Sequence, residues 1–134
     1  MNVAELFSAL HQAARNRVYL ARLEILDQTP TLLKARLYVS PDLFVQVYRN
    51  DRYDATNLAL HAGQRVYARD QLGGVWHRHT AAAPNLHDNS EEGRLAVSLP
   101  EFRDEVERVL AAMRAHGQTA LPGRVAFRLY DTYG

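Results

Sequence analysis

Histidines spaced as on a β-strand are the residues of this chain best suited to chemistry. The segment VWHRH, residues 75–79, carries His77 and His79, and a later segment carries His87 and Asp88. Residues two apart on a strand point to the same face, so His77 and His79 form a pair. Imidazole exchanges protons near neutral pH, which suits general acid and base catalysis. Cleavage of an RNA phosphodiester fits such a pair, with arginines stabilising the charge that develops.

Two other interpretations of the histidines stay open. Two imidazoles on one face, with His87 and Asp88 nearby, have the composition of a metal site. The double-histidine pattern of cupins also needs a nearby glutamate and a second histidine strand, which this sequence lacks, so we predict no metal or other cofactor. Alternatively, polar residues at a strand end simply face water. Trp76 alternates away from His77 and is predicted to pack in the core.

A second candidate is the polar segment YRNDRYD, residues 48–54. Arginine and tyrosine together suit phosphate and base contacts in single-stranded RNA, and they equally suit a hot spot for protein binding. A plain hairpin whose charges pair weakly is the remaining alternative. The predicted catalytic set is His77, His79, His87 and Arg49. The predicted substrate-binding set is Tyr48, Arg52, Tyr53 and Arg69.

Composition sets the broad class. The chain has 134 residues, 47% hydrophobic and 23% charged, with no cysteine, which predicts one soluble domain without disulfides or a zinc ribbon. No secretion signal or membrane span is evident, so we expect a cytoplasmic protein and no membrane partner. The net charge is +1, yet fifteen of the sixteen basic residues are arginine. Arginine binds phosphate and carboxylate in a planar, bidentate way, which favours an anionic partner.

The apolar pattern predicts an α+β fold. We expect a helix over residues 1–16, an antiparallel meander of five to six strands over 18–79, a loop over 81–97 and a helix over 98–116. An extended, strand-like tail over 118–134 follows. The predicted strands are Val18–Leu26, Leu32–Val39, Leu43–Arg49, Tyr53–His61, Arg65–Arg69 and Val75–His79.

The strand faces predict association. Two-residue turns at Asn50-Asp51 and Ala62-Gly63 would place Tyr67 opposite Leu58 and Val45 opposite Thr56. One face would then gather Leu43, Val45, Val47, Leu58, Leu60 and Tyr67. The other would gather Leu37, Val39, Phe44, Ala59, Val66 and Ala68. Because two helices cover only one face, the second apolar face would need a further copy of the chain or a different protein.

The order of these features resembles the TumE-like family of small toxins from two-component toxin–antitoxin systems. The quoted features are the strands with YRNDRYDATNLAL and RVYARDQLGGVWHRH, a loop with LHD, and a helix with EFRDEVERVL. The similarity runs from about Val18 to Met113 and consists of element order rather than a strict signature. It implies bacterial or archaeal origin and a small DNA-binding antitoxin as partner, and it supplies no catalytic residues.

Two functions from different classes follow as expectations. One is the toxin of a toxin–antitoxin pair, acting as a metal-independent endoribonuclease with RNA as its target. The other is a non-catalytic protein-binding module that uses the apolar sheet face and the turn Tyr48–Asp54. Either function implies a homo-oligomer or a heterocomplex.

Overall fold

The computed structural model describes residues 1–15, 22–88 and 90–115. An antiparallel sheet of six strands follows one helix, α1 (Val3–Arg15), and precedes a second, α2 (Leu99–Ala115). The strands lie side by side in chain order. They are β1 (Arg22–Gln28), β2 (Leu32–Ser40), β3 (Leu43–Asn50), β4 (Ala55–Ala62), β5 (Arg65–Leu72) and β6 (Val75–His79). The predicted α+β meander is therefore confirmed.

Both helices begin at the capping residues that the sequence predicts. The Asn2 side-chain oxygen accepts a bond from the backbone N–H of Glu5 at 2.8 Å. At α2 the box is reciprocal, because Ser98 accepts from the N–H of Glu101 at 3.2 Å and the Glu101 carboxylate accepts from the N–H of Ser98 at 2.9 Å. These bonds satisfy backbone donors that have no partner within a helix, and so they set where each helix starts.

The helices cover one face of the sheet, which we call the covered face. Its core includes Val45, Val47, Leu58, Leu60 and Tyr67, as predicted. The core also receives Trp76 from β6, which is 7% exposed and confirms that residue as a core anchor.

The opposite face, which we call the open face, is less apolar than predicted. Leu37 pairs with Val45 and so lies on the covered face, and Val66 also belongs to the core. Two irregularities account for these positions, because the register shifts in β2 between Tyr38 and Ser40 and in the β4–β5 pairing beside Val66. Phe44, Ala59 and Ala68 do lie on the open face, where Ala59 pairs with Ala68, but Phe44 pairs with the polar His61 and Ala59 with the polar Gln46.

The predicted strand registers were wrong, although the predicted faces hold for β3 and β4 and for Tyr67 and Ala68 of β5. Tyr67 opposes Leu60, and Val45 also opposes Leu60 from the other side. The β3–β4 connection has four residues, 51–54, and the β4–β5 pairing shifts between Leu60 and His61. Tyr67 and Val45 are displaced by an even number of residues from the predicted pairings, which keeps each side chain on its face.

Arg49 explains the four-residue turn. Its guanidinium donates to Asp51 at 2.8 Å and to Asp54 at 2.9 Å, and so it joins both ends of the turn. Asp54 has a positive φ of 47°, a conformation that aspartate tolerates better than most residues. As a result β4 begins at Ala55 rather than at the predicted Tyr53.

The remaining connections also differ from expectation. The predicted loop over 81–97 contains one turn of 3₁₀ helix, Glu92–Arg94, and an isolated bridge between Arg78 and Asp88. The first residues of the predicted strand Val18–Leu26 and the predicted tail over 118–134 lie outside the described residues. Among the residues that are described, no helix has the length and apolar character needed to cross a membrane.

A buried ion pair fastens α2 to the sheet. The Arg69 guanidinium donates to both oxygens of Glu105, at 2.8 and 2.9 Å, and Tyr67 donates its hydroxyl proton to the same carboxylate. Burial, together with this bond to Glu105, raises the pKa of Tyr67 to about 12, so the phenol stays neutral. The Arg69 side chain is 2% exposed and that of Glu105 is 13% exposed.

We expect Glu105→Ala to lower the free energy of unfolding by about 3 kcal/mol, because it leaves the Arg69 charge buried without its partner. Urea unfolding at neutral pH measures this change. Asp104→Ala, at the exposed neighbouring position, is the matched control and should stay within about 0.5 kcal/mol of the parent. Equal stability of the two variants would contradict this role for the ion pair.

Candidate functional site

Three histidines meet on the open face at the β6 edge of the sheet. The rings of His77 and His87 stack with their centroids 4.7 Å apart and 15° between their planes. The His79 ring meets His87 edge to face, also at 4.7 Å. The loop therefore brings His87 over the strand pair. We call these three residues the histidine cluster.

A clamp between Arg78 and Asp88 holds His87 there. Arg78 donates from Nε to the Asp88 carboxylate at 2.7 Å, and the Asp88 N–H donates to the Arg78 carbonyl at 2.7 Å. The loop thus returns to β6 and pairs with it at one isolated bridge, between Arg78 and Asp88. At this bridge the His87 side chain points toward His77 and His79. Gly93 packs so closely on the Asp88 carbonyl that a Cβ there would collide with it.

His79 is fixed at both ring nitrogens. Nδ1 lies 3.0 Å from the carbonyl of Pro84 and Nε2 lies 2.9 Å from a carboxylate oxygen of Asp70. A carbonyl and a carboxylate therefore lie at the two ring nitrogens and hold the His79 ring in one orientation. His79 is also 5% exposed.

The structure does not bring Arg49 or Arg69 to the histidine cluster. Arg49 donates to Thr56 at 3.0 Å and to Gln71 at 3.1 Å. Gln71 pairs with the core residue Trp76, so all of these side chains lie on the covered face. Arg69 is bound to Glu105 and to the carbonyl of Glu92 beneath α2. Both arginines are nearly fully buried, so each holds elements together on the face opposite the histidines.

The other predicted binding residues lie at the β3–β4 end of the sheet. Tyr48 is half-buried on the open face, since it alternates with the buried Val47 and Arg49. Arg52 and Tyr53 lie in the turn and are exposed, Tyr53 at 69%. Tyr48 therefore lies on the same face of the sheet as the histidines, whereas Arg52 and Tyr53 project from the end of the β3–β4 hairpin.

Asp70 is not among the residues that the sequence predicted for the site. Asp70 opposes His77 across the β5–β6 pair, binds His79 and accepts a hydrogen bond from Asn57. The sequence feature that could have placed Asp70 opposite His77 is the turn Gly73-Gly74. Counting back from a two-residue turn there places residue 70 opposite residue 77.

The cluster is a packing of rings rather than a ligand cage. Within residues 1–15, 22–88 and 90–115, no group of three histidine, aspartate or glutamate side chains is arranged to hold a metal ion. Stacked imidazoles at this separation leave no space for an ion between them.

Comparison with known proteins gives a short, partial similarity. A stretch of 45 residues, 34% of this chain, is 44% identical to part of an alanine–tRNA ligase of Streptococcus sanguinis. The chain spans 5% of the length of that protein. No model of a known protein family matches the chain, and no solved structure matches it.

The clamp predicts an unusually acidic carboxyl group. Hydrogen bonds from Ser90, followed by the Arg78 guanidinium, lower the pKa of Asp88 from 3.8 to about 2. Because this pKa is lower in the folded chain, the clamp stabilises the fold above about pH 4, and that contribution is lost as the pH falls through 2. An NMR titration of the side-chain carboxyl carbons should show a midpoint of about 2 for Asp88.

Asp88→Asn is the control, since it removes that titration from the spectrum. It should also weaken the nuclear Overhauser contacts between the rings of His77 and His87, because the loop loses its ion pair. A midpoint near 3.8 for Asp88 in the folded protein would contradict the clamp.

Proposed function

We propose that the chain is a metal-independent endoribonuclease whose active site is the histidine cluster. The observation that carries this proposal is the stacking of His87 on His77, beside a His79 ring held by Asp70 and Pro84. Acid–base catalysis needs a proton acceptor and a proton donor at one place, and two adjacent imidazoles supply both. Because His87 is exposed, a substrate can reach the pair from solvent.

The reaction would proceed by transfer within the RNA. One imidazole of the His77–His87 pair takes the proton of a 2′-hydroxyl, and that oxygen attacks the adjacent phosphorus. The bond from phosphorus to the 5′-oxygen breaks, and the other imidazole gives that oxygen a proton. The products are a 2′,3′-cyclic phosphate and a 5′-hydroxyl, so no metal, water or redox partner is needed.

The resemblance to TumE-like toxins supports a biological setting for this activity. On this basis we propose that the chain is the toxin of a toxin–antitoxin pair in a bacterial or archaeal cytoplasm, with a small DNA-binding antitoxin as its partner. The element order that carries the resemblance includes the histidine strand and the loop that places His87.

Incubation of purified protein with cellular RNA tests the activity. Cleavage should persist in excess chelator and should fall at least a hundredfold in His77→Ala and in His87→Ala, which is the lower end of a general acid–base contribution. His11→Ala on α1 is the matched control and should cleave as the parent does. Activity that disappears with chelator, or that survives both substitutions, would overturn this site.

A second function, non-catalytic protein binding, has its own observation. The ends of the β3–β4 and β5–β6 hairpins meet, since Gly74 donates to the carbonyl of Asp54 at 3.3 Å. Large apolar side chains are exposed there, with Tyr53 at 69%, Leu72 at 71% and Val75 at 55%. Tyrosine is enriched in protein-binding hot spots, and exposed apolar side chains grouped together mark interaction surfaces. The antitoxin is the partner that we propose for this patch.

The same cleavage assay separates the two functions. Tyr53→Ala/Leu72→Ala should cleave RNA normally but fail to form a complex with the protein encoded beside this chain's gene, measured by co-purification after co-expression. His77→Ala should show the reverse result. Loss of both properties in one variant would mean that the patch and the cluster are not separate.

A further inference from the structure

The open face holds a polar pocket beside the histidine cluster. Its volume is about 430 Å³, within the range of roughly 300–1,000 Å³ that small-ligand sites occupy. The floor is Ala59, and one wall is the loop at Pro84 and Asn85. The other lining side chains are polar, and they are Gln46, Asn57, His61, Gln64 and Arg65.

The pocket is joined to the catalytic residues by shared partners. The carbonyl of Pro84 accepts from Arg65 at 2.9 Å and lies 3.0 Å from Nδ1 of His79. On the other side, Asn57 donates to Asp70, which in turn holds Nε2 of His79. A ligand in the pocket would therefore lie next to the cluster and contact the residues that position it.

The pocket offers hydrogen-bonding groups that the protein itself leaves unused. Among the described residues, no hydrogen bond engages the side-chain amides of Gln46 and Gln64. The Asn57 amide nitrogen is bound to Asp70, so the carbonyl oxygen of Asn57 remains as an acceptor. Carboxamides present a donor and an acceptor side by side, which matches the edge of a nucleobase.

Positive charge lies beside the pocket. In the described ranges, neither Arg36 nor Arg65 forms an ion pair with a carboxylate, and the neighbouring carboxylate of Asp70 is bound to Asn57 and His79. Burial, followed by the charges of Arg36 and Arg65, lowers the pKa of His61 from 6.5, which favours its neutral imidazole. The two arginine charges thus favour an anion.

An aromatic surface continues from the pocket across the sheet. The rings of His61 and Phe44 stack with centroids 5.0 Å apart and 6° between planes, and the Arg36 guanidinium lies 4.6 Å from the Phe44 centroid. Tyr38 contacts the same Phe44 ring at 5.2 Å. Alternating aromatic and arginine side chains on an exposed sheet face are how proteins bind single-stranded RNA.

We propose that this pocket binds one nucleotide of a single-stranded RNA, with the base against Gln46 and Asn57 and the phosphate facing Arg65. The inference rests on the proposed function, because it places the scissile phosphate at the neighbouring histidines. It also assigns substrate binding to the open face of β3 and β4 rather than to Arg49 and Arg69. The aromatic row at Phe44 would carry the adjoining nucleotides.

Fluorescence anisotropy with a labelled 2′-O-methyl RNA oligonucleotide tests binding without cleavage, since this RNA lacks the attacking hydroxyl. Gln46→Ala and His61→Ala should each weaken binding about tenfold, as expected for the loss of one base contact. Gln12→Ala and His11→Ala on α1 are matched controls and should bind as the parent does.

The results for binding and cleavage are distinguishable. Pocket variants that bind like the parent, while the parent cleaves RNA, would overturn the pocket and leave the proposed function standing. A parent that binds through the pocket but cleaves no RNA would overturn the function and leave the pocket.

NMR of the parent protein covers the case in which a variant fails to fold. The side-chain amide signals of Gln46, Asn57 and Gln64 should shift on addition of the oligonucleotide, while that of Gln12 should not. Unchanged pocket signals at saturating oligonucleotide would overturn the proposal.

Discussion

The ion pair between Arg78 and Asp88 is the interaction on which the candidate site depends. Without it, the loop after β6 is held beside the sheet by one backbone bridge at Asp88 and by the contacts of Arg65 and His79 with the Pro84 carbonyl, three residues before His87. When the ion pair is formed, successive side chains of the loop point to opposite faces of the sheet. Asp88 then contacts Arg78, and His87 lies over His77. Because the guanidinium also lies 3.3 Å from Glu92, the same arginine restrains the turn that closes the loop.

The arginines of this protein divide according to the face of the sheet. On the covered face, Arg49 and Arg69 are buried, and each is neutralised by carboxylates within the fold. On the open face, Arg65 borders a polar pocket and Arg36 lies over the neighbouring Phe44 ring, and in the described part neither forms an ion pair. A charge that the fold already satisfies has a structural role, whereas a charge left unbalanced at a surface is available to a ligand. Arginine content alone could not separate these two uses.

Much of the fold could be predicted because it follows from local rules. Capping residues at Asn2 and Ser98 mark where the helices begin, and alternation separates Trp76 from His77 and His79. The strand registers could not be predicted by counting, since the four-residue turn and the irregularity in β2 leave no plain mark in the sequence. Even so, the pairing of Asp70 with His77 was within reach from Gly73-Gly74.

The site was predictable only in part, for a similar reason. The pair of histidines on β6 follows from spacing, but the return of His87 depends on a salt bridge between residues ten positions apart in the chain. The polar pocket joins β3, β4 and the loop, and such a combination appears only once the strands are paired. The roles first given to Arg49 and Arg69 ignored that buried arginines can be structural.

The central claim is that two histidines cleave RNA through its own 2′-hydroxyl, and the end groups of the products test it most directly. Purified protein would be incubated with a defined oligoribonucleotide in excess chelator, and the fragments would be weighed by mass spectrometry. The account predicts 2′,3′-cyclic phosphate and 5′-hydroxyl ends, and no cleavage of an oligonucleotide with a single 2′-deoxy substitution at the cleavage position. Fragments with 5′-phosphate ends, or an RNA that stays intact with the folded protein, would contradict it.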